Sequence, residues 1–476
     1  MEEKDLVFTI SGIRGIYGKS LNTEIILKIA VAYGQWLKGN NKEVVIGRDT
    51  RASGEAIEKL IVDGLTSTNC KVINLGICPT PVIIYTKNKL NTPGGIIISA
   101  SHNPPEWNGL KLLSDKTLLK DSELNEIHDI MNEIDLMKYK TLESNQLTTV
   151  KNLNFTQEYI QDLYNVININ YIKEHNNLNV AIDTGAGAAT KVTPQILKDM
   201  GCTLKIINDE LDEKGNFPRD IEPVEKNLTE LKKLVLDGSY DIGFAHDCDA
   251  DRLAIIGNDG TFYPEDIGLA LIANSYFKKF KDSGYRMIFV TNLASSLIFE
   301  VLAEKYGAQV IRTPVGERYL AEKLDTLMKI EEESSIIFGG EGSCGGVMLP
   351  QFNNTRDGIF AAAKLIEILV ETKEKISYLV AKLPQFYSVR EYINIKNVNL
   401  KPVINQVKAV LISEGYDVMQ IDNDLKFGKG NEWFVLIHPS NTEPILRIIS
   451  EANDESLANE NLLITTEKVK FILSQL

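Results

Sequence analysis

Asp247-Cys248-Asp249-Ala250-Asp251-Arg252 sets three carboxylates on alternate positions of one short stretch. Charges packed that densely repel one another unless a cation neutralises them. Ligands that are all oxygen suit a hard ion such as Mg2+ or Ca2+ rather than zinc. An EF-hand loop also begins with three alternating acids, but its invariant glycine position carries Arg252 here and its twelfth position carries Asn258, so neither the sharp turn nor the bidentate acid is available. The plain alternative is a solvated acidic turn; the apolar runs on both sides of the stretch argue against it. Ser101, in Ser99-Ala100-Ser101-His102-Asn103-Pro104, directly follows an apolar run and is a candidate nucleophile. Adjacent Ser and His side chains diverge, so Ser101-His102 is not a catalytic couple by itself, and many such serines only hydrogen-bond a turn. Beside a hard-metal loop the serine makes sense as a carrier of a phosphoryl group, whose oxygens the metal would stabilise.

Other loops offer recognition rather than bond chemistry. Gly339-Gly340-Glu341-Gly342-Ser343 lacks the lysine and the spacing of a phosphate-cradling Walker loop or a dinucleotide fingerprint. Its carboxylate, Glu341, can accept hydrogen bonds from two vicinal hydroxyls, as a sugar-binding residue would, although a glycine turn needed only for backbone geometry fits the segment as well. Ser440, Asn441 and Thr442, between two prolines, supply hydroxyl, amide and backbone donors, and nearby Arg447 supplies a fork for a phosphate; a plain hairpin is the competing reading. Arg14, Arg48, Arg51, Lys111 and Arg318 lie on or beside glycine-containing loops, where most arginines are simply solvated. His128 and His175 stand in polar contexts and are assigned no role.

The elements that must carry these loops repeat. A strand, turn, helix, strand unit occurs three times, beginning at Val44-Val45-Ile46, Val180-Ala181-Ile182 and Ile288-Phe289-Val290. Such spacing predicts parallel βαβ units with right-handed crossovers. Each copy is followed by a further strand that leads into one of the conspicuous loops: 95–98 into the serine loop, 240–244 into the aspartate loop, and 335–338 into the Gly-Glu loop. Ligands of open α/β sheets bind beyond the carboxyl ends of the strands. The polar stretch 138–154 predicts a first boundary, and the tail beyond Ser377 reads as a separate domain with strands at 390–395, 433–437 and 445–449.

With 476 residues the chain has room for three or four domains. A net charge of −14 offers nothing to nucleic acid. Hydrophobic residues at 43% and charged residues at 24% are those of a globular chain, not a disordered or fibrous one. Five scattered cysteines without a C-x-x-C pair fit a reducing cytosol, and no apolar run is long enough for a membrane span. The expectation is a cytoplasmic protein.

Taken in order, Ser11-Gly12-Ile13-Arg14-Gly15, Gly47-Arg48-Asp49-Thr50-Arg51, the Ser101 loop with Asn108-Gly109 and Lys111, the aspartate loop with Arg252, Thr313-Pro314-Val315-Gly316, Gly339-Gly340-Glu341 with Ser343, and Pro439-Ser440-Asn441-Thr442-Glu443-Pro444 resemble the motifs of the α-D-phosphohexomutases over nearly the whole chain. That resemblance implies three topologically similar α/β domains plus a smaller C-terminal α+β domain around a central cleft, drawn here at 1–154, 155–261, 262–378 and 379–476. It implies a phosphoserine at Ser101 and one Mg2+ held by Asp247, Asp249 and Asp251 against it. His102 and Lys111 would handle protons, and Arg14 and Arg252 would support the phosphoryl group. Glu341, Ser343 and Arg318 would bind the sugar, and Ser440, Asn441, Thr442 and Arg447 the distal phosphate. The substrate would be a hexose phosphate, of the glucose, mannose or glucosamine series, with a hexose 1,6-bisphosphate as intermediate and activator, in a monomer or homodimer. The chain departs from the family where Cys248 and Ala250 replace frequent glycines, where the Glu341 loop lacks a histidine, and where His438 replaces a frequent arginine. Two other readings remain: an Mg-dependent phosphatase with Asp247 as nucleophile, and an inactive phosphosugar-binding scaffold.

Overall fold

The computed structural model describes residues 6–9, 12–39, 42–114, 117–139, 150–331, 334–342, 346–395, 398–440 and 445–475. The chain forms two compact units, one of Met1–Gly268 with Cys344–Leu379 and one of Leu269–Ser343 with Val380–Leu476.

In the first unit a seven-stranded sheet contains β1 (Val7–Thr9), β2 (Gly12–Ile16), β3 (Glu43–Arg48), β4 (Lys71–Ile77), β5 (Gly94–Ile98), β6 (Trp107–Leu113) and β7 (Val150–Asn152), in the order β1-β2-β6-β5-β3-β4-β7. A five-stranded sheet contains β8 (Asn179–Asp183), β9 (Thr203–Ile207), β10 (Ile242–Ala245), β11 (Ala254–Gly257) and β12 (Phe262–Tyr263), in the order β12-β11-β10-β8-β9. The second unit has β13 (Arg286–Asn292) between β14 (Gln309–Thr313) and β15 (Ser335–Glu341), all parallel. The hairpin β16 (Gly346–Leu349) and β17 (Asn353–Asp357) belongs to the first unit. The tail forms an antiparallel sheet of β18 (Tyr387–Asn394), β19 (Val418–Ile421), β20 (Asp424–Lys429), β21 (Trp433–Pro439) and β22 (Ile445–Ala452), ordered β18-β22-β21-β20-β19.

The threefold repeat is therefore topological. In each copy the first strand sits in the middle, with the second parallel on one side and the third parallel on the other: β4-β3-β5, β9-β8-β10 and β14-β13-β15. The third strand is the one that ends at a candidate functional loop every time. In the first two copies an antiparallel strand, β6 or β11, follows beside it. Central parallel strands are covered on both faces, which is why Ile96, Ile97 and Ile98 of β5 are all inaccessible to solvent.

Helix packing follows from the same patterning. The helix Thr23–Trp36 places Ile26, Ile29, Ala30 and Tyr33 on its buried stripe, and Asn22 caps it by accepting from Ile25 N. Tyr33 Oη donates to Leu113 O at 2.5 Å and accepts from Gly95 N at 2.8 Å, so the stripe is pinned to the strands on either side of the serine loop. Each buried aliphatic side chain of this kind contributes about 1.5–3 kcal/mol.

The expected boundary stretch holds a surprise. Residues 140–149 lie outside the described residues, but Val150–Asn152 forms β7, which pairs parallel with β4 and is the edge of the sheet. Its backbone groups find partners there, which polarity of composition could not reveal. Among the described residues no helix is long and apolar enough to cross a membrane. Cys70, Cys78, Cys202 and Cys248 are buried thiols, and Cys344 lies outside the described residues.

Candidate active site

Ser101 stands three residues beyond the end of β5, 1% exposed, with its backbone in the left-handed region at φ 50°. Its Oγ donates to Asp247 Oδ2 at 2.8 Å, and its backbone N donates to Ser99 Oγ at 2.9 Å. The aspartate loop leaves β10 in the same way, and Ala250 within it also has a positive φ, 58°. This left-handed residue lets Asp247, Asp249 and Asp251 turn one oxygen each toward a common point: such atoms of the three lie within 4.8 Å of one another.

The carboxylates are divided by function. Every Oδ2 is occupied by the protein: Asp247 by Ser101, Asp249 by Thr80 Oγ1 at 2.7 Å and Lys111 Nζ at 2.7 Å, Asp251 by Arg356 Nη2 at 2.7 Å and Lys111 Nζ at 3.2 Å. Every Oδ1 is buried and lacks a hydrogen-bond partner among the described residues. Buried oxygens are otherwise satisfied almost without exception, so three orphaned carboxylate oxygens in one place are a donor set for a hard cation. Burial, together with the charges of Asp249 and Asp251, pushes the Asp247 carboxyl well above its ordinary range. Burial acts on Asp251 as well, but Arg356, Lys111 and Arg252 outweigh it and hold that carboxyl far below the usual range.

Cations gather around this triad. Arg14, on β2, donates to Asn103 Oδ1 at 2.5 Å and to Ala100 O at 3.4 Å. Arg252 approaches Asp247 Oδ2 at 3.9 Å and Glu222 at 3.4 Å. His102 has a buried Nδ1 without a partner among the described residues, and burial, with Arg252 and Arg14 nearby, lowers its pKa to about 2, so the ring is neutral. A neutral ring beside a cationic pocket offers one N–H donor and one acceptor nitrogen, and it is a weak base until negative charge enters the site. Thus Ser101, His102, Lys111, Arg14, Arg252 and the three aspartates are brought together, from two strand ends and two strands of the first unit.

In the second unit Glu341 ends β15 and is 5% exposed, with Oε1 accepting from Asn292 Nδ2 at 2.9 Å. Gly339 is needed for this strand to approach β13, because a Cβ there would meet Val290 O at 2.3 Å. Arg318 lies in the first turn of the helix Glu317–Ile330, buried, 3.6 Å from Glu322 and over the Tyr319 ring. Arg447, on β22, donates to Ser440 Oγ at 3.2 Å. His438 is buried and turns Nδ1 to Asp424 Oδ1 at 2.7 Å, so this nitrogen is committed within the sheet. Ser343, Asn441 and Thr442 lie outside the described residues.

Three contributors escaped sequence reasoning. Thr80 and Arg356 touch the aspartates from segments far away in sequence, and no spacing rule links them to the loop. Arg51, noted among arginines that are usually solvated, is instead 1% exposed. Its position in Gly47-Arg48-Asp49-Thr50-Arg51, immediately after a buried strand, was the available signal.

A buried serine facing an acidic triad that could hold a cation, carried on repeated α/β units, is the arrangement of a phosphotransfer enzyme. The chain matches the phosphoglucomutase/phosphomannomutase alpha/beta/alpha domains I, II and III over residues 5–138, 157–260 and 264–387. It is 35% identical over 462 residues to a phosphoglucomutase/phosphomannomutase of Thermococcus kodakarensis, covering 96% of each chain. It is 32% identical over 467 residues to a phosphoglucosamine/phosphogalactosamine mutase of Sulfurisphaera tokodaii, covering 97% of this chain and 98% of that one. A phosphoglucomutase/phosphomannomutase family protein from Burkholderia thailandensis shares the fold, with a TM-score of 0.80 at 22% identity over 97% of this chain and 96% of that one. The chain belongs to the α-D-phosphohexomutase family.

Proposed function

We propose that this protein is a phosphohexomutase that interconverts hexose 1-phosphate and hexose 6-phosphate through a phosphoserine at Ser101. The observation that carries the reading is the Ser101 Oγ contact with Asp247 at 2.8 Å, beside three buried carboxylate oxygens without a hydrogen-bond partner among the described residues. Asp247, Asp249 and Asp251 would hold one Mg2+ together with the Ser101 phosphoryl group. Bound there, the ion supplies charge stabilisation to the phosphoryl oxygens and lowers the cost of three adjacent carboxylates.

The chain's own residues do the rest. Phosphorylated Ser101 gives its phosphoryl group to the free hydroxyl of a hexose monophosphate: the P–Oγ bond breaks, a P–O bond to the sugar forms, the hydroxyl proton leaves and Oγ recovers one. We assign the handling of the hydroxyl proton to His102 and Lys111, with the negative charge of the phosphoserine raising the proton affinity of the otherwise weakly basic His102 ring, and the proton returns by the same groups in the reverse half-reaction. Lys111 braces Asp249 and Asp251 while adding positive charge, and Arg14 and Arg252 offset the charge of the phosphoryl group. The 1,6-bisphosphate so formed turns over and returns its other phosphate to Ser101. A hexose 1,6-bisphosphate accordingly acts as activator by charging Ser101. Glu341, with Ser343 and Arg318, serves the sugar hydroxyls, and Ser440, Asn441, Thr442 and Arg447 serve the phosphate that is not reacting. We retain the four-domain division at 1–154, 155–261, 262–378 and 379–476, a cytoplasmic location, and a monomer or homodimer.

Neither alternative is favoured. An aspartyl phosphatase would need Asp247 as nucleophile, yet its Oδ2 is occupied by the very serine that mechanism leaves idle. A dead scaffold would not keep the nucleophile and the complete acidic triad in register. A coupled assay with glucose 1-phosphate, mannose 1-phosphate and glucosamine 1-phosphate, Mg2+ and a trace of glucose 1,6-bisphosphate tests the reading. Activity on one of them that vanishes in Ser101→Ala is expected; equal turnover in wild type and variant sinks it.

A further inference from the structure

Arg51 follows β3 by three residues, and its side chain is sealed from solvent. All five of its N–H groups have acceptors. Nε donates to Asp49 Oδ2 at 3.1 Å, Nη1 to Pro104 O at 2.6 Å and Trp107 O at 3.0 Å, and Nη2 to Ser101 O at 2.7 Å and Asn103 O at 2.7 Å. Four of the five acceptors are thus main-chain carbonyls, three of them on the loop that carries the nucleophile and the fourth on Trp107, the first residue of β6. Asp49 completes the arrangement by accepting from Arg51 N at 3.0 Å through Oδ1.

The residue held most directly is the one that needs holding. Ser101 is in the left-handed region, which a serine keeps only when its surroundings over-determine it. Its carbonyl oxygen receives a second contact from the aspartate loop: Cys248 Sγ lies 2.9 Å from Ser101 O and 3.1 Å from Asp49 Oδ2. A thiol has one proton, so it donates to one of these at a time and bridges them on average. The residue between two candidate metal ligands is thereby tied to the backbone of the serine that faces them.

We propose that Arg51 is the positioning residue of the transfer reaction, fixing the Ser101 backbone so that Oγ points at Asp247, with the Cys248 thiol locking the serine loop to the aspartate loop. This rests on the mutase reading above. Neither side chain touches substrate; both act through Ser101. Lysine could not replace Arg51, because a single ammonium cannot reach four carbonyls spread over the loop and the start of β6, as a planar fork can. Removing the lock should slow both transfers to and from Ser101 without weakening the grip on the sugar phosphate, since misplacement of reacting atoms acts on the rate.

Full-length wild type, Arg51→Lys, Cys248→Gly and Cys248→Ser are each dephosphorylated and then charged with glucose 1,6-bisphosphate and Mg2+. Phosphoserine formation is followed by intact mass, and steady-state kcat and KM are measured separately. Arg51→Lys is expected to lose about tenfold or more in charging rate and in kcat, with KM within about twofold of wild type. Cys248→Gly should lose a few-fold in the same two rates, and Cys248→Ser should recover most of that because its hydroxyl restores a donor. A folded Arg51→Lys that charges at the wild-type rate, or one that changes KM alone, overturns the proposal. Should Arg51→Lys not fold, the cysteine pair decides: Cys248→Gly equal to wild type overturns it, and a loss in Cys248→Gly recovered in Cys248→Ser supports it. Failure of wild type itself to become phosphorylated would overturn the mutase reading and this inference with it, whereas normal wild-type charging with unaffected variants overturns the inference alone.

Discussion

Asn292 donates its side-chain amide to Glu341 Oε1 at 2.9 Å, while its Oδ1 accepts from the backbone of Ala294 and Ser295. One asparagine at the end of β13 therefore aims the carboxylate at the end of β15 and shapes the turn beside it. Ser295 Oγ extends the arrangement by accepting from Gly342 N at 3.2 Å. Arg312 secures the turn from the other side, donating to the carbonyls of Asn292, Ser295 and Ser296.

If Glu341 binds sugar hydroxyls, Asn292→Ala should act on substrate recognition. Steady-state kinetics should show KM for the preferred hexose phosphate raised about tenfold, the worth of one lost charge-assisted contact. Charging of Ser101 to one phosphate per chain should still occur, because Ser101 lies in the other compact unit. An unchanged KM would remove Glu341 from the sugar site.

The orphaned Oδ1 atoms of Asp247, Asp249 and Asp251 give an expectation that does not depend on turnover. Adding Mg2+ to chelated protein should raise its melting temperature, since about 2.7 kcal/mol of stabilisation accrues at a hundred times Kd. Asp249→Asn should abolish most of that shift and lower kcat by more than the 10–100-fold that is roughly typical of residues supporting a metal ligand. A melting curve indifferent to Mg2+ in wild type would rule out this triad as the metal site.

Arg356 reaches Asp251 Oδ2 at 2.7 Å from β17 and is the foremost opposing charge holding that carboxyl low. Arg356→Gln should weaken the ligand set, raising the Mg2+ concentration for half-maximal activity about tenfold with little effect on KM for the sugar phosphate. A magnesium titration of wild type and variant checks it, and superimposable curves would make Arg356 a bystander.

Asp357 gives a pH signature of folding. Burial raises its pKa from 3.8 to about 6, against the opposing hydrogen bonds from Phe360 N, Tyr159 and Asn353. The folded state thus holds this proton more tightly than the unfolded chain. Its stabilising effect is fully present below the unfolded pKa of 3.8 and is lost as pH rises through about 6, for a change of about 3 kcal/mol at most. Asp357→Asn keeps an acceptor for the N-terminus of the helix Gly358–Thr372 and carries no titration. Urea unfolding between pH 4 and 7 should show stability relative to wild type rising with pH in the variant; parallel profiles would contradict it.

The local parts of this protein are written in its sequence. Alternating aspartates announce a candidate cation site, and a serine after an apolar run announces a hydroxyl at a strand end. Three repeats of strand and helix dictate parallel βαβ units, because hydrophobic period and turn residues act over a few neighbours and are legible one window at a time, while the order β4-β3-β5 came from the fold. What those parts meet was decided by the tertiary structure alone. Ser101 and Asp247 are 146 positions apart, and Thr80 and Asp249 are 169 apart. Arg51 reads in sequence as one more arginine of a polar turn, and only the folded chain surrounds it with the carbonyls of the Ser101 loop. Likewise β7 becomes a strand because β4 offers it an open edge, and His438 turns Nδ1 to Asp424 because β20 lies beside β21. Each of these is a contact between segments brought together by strand order, and no local pattern of residues records which partner a distant segment will present.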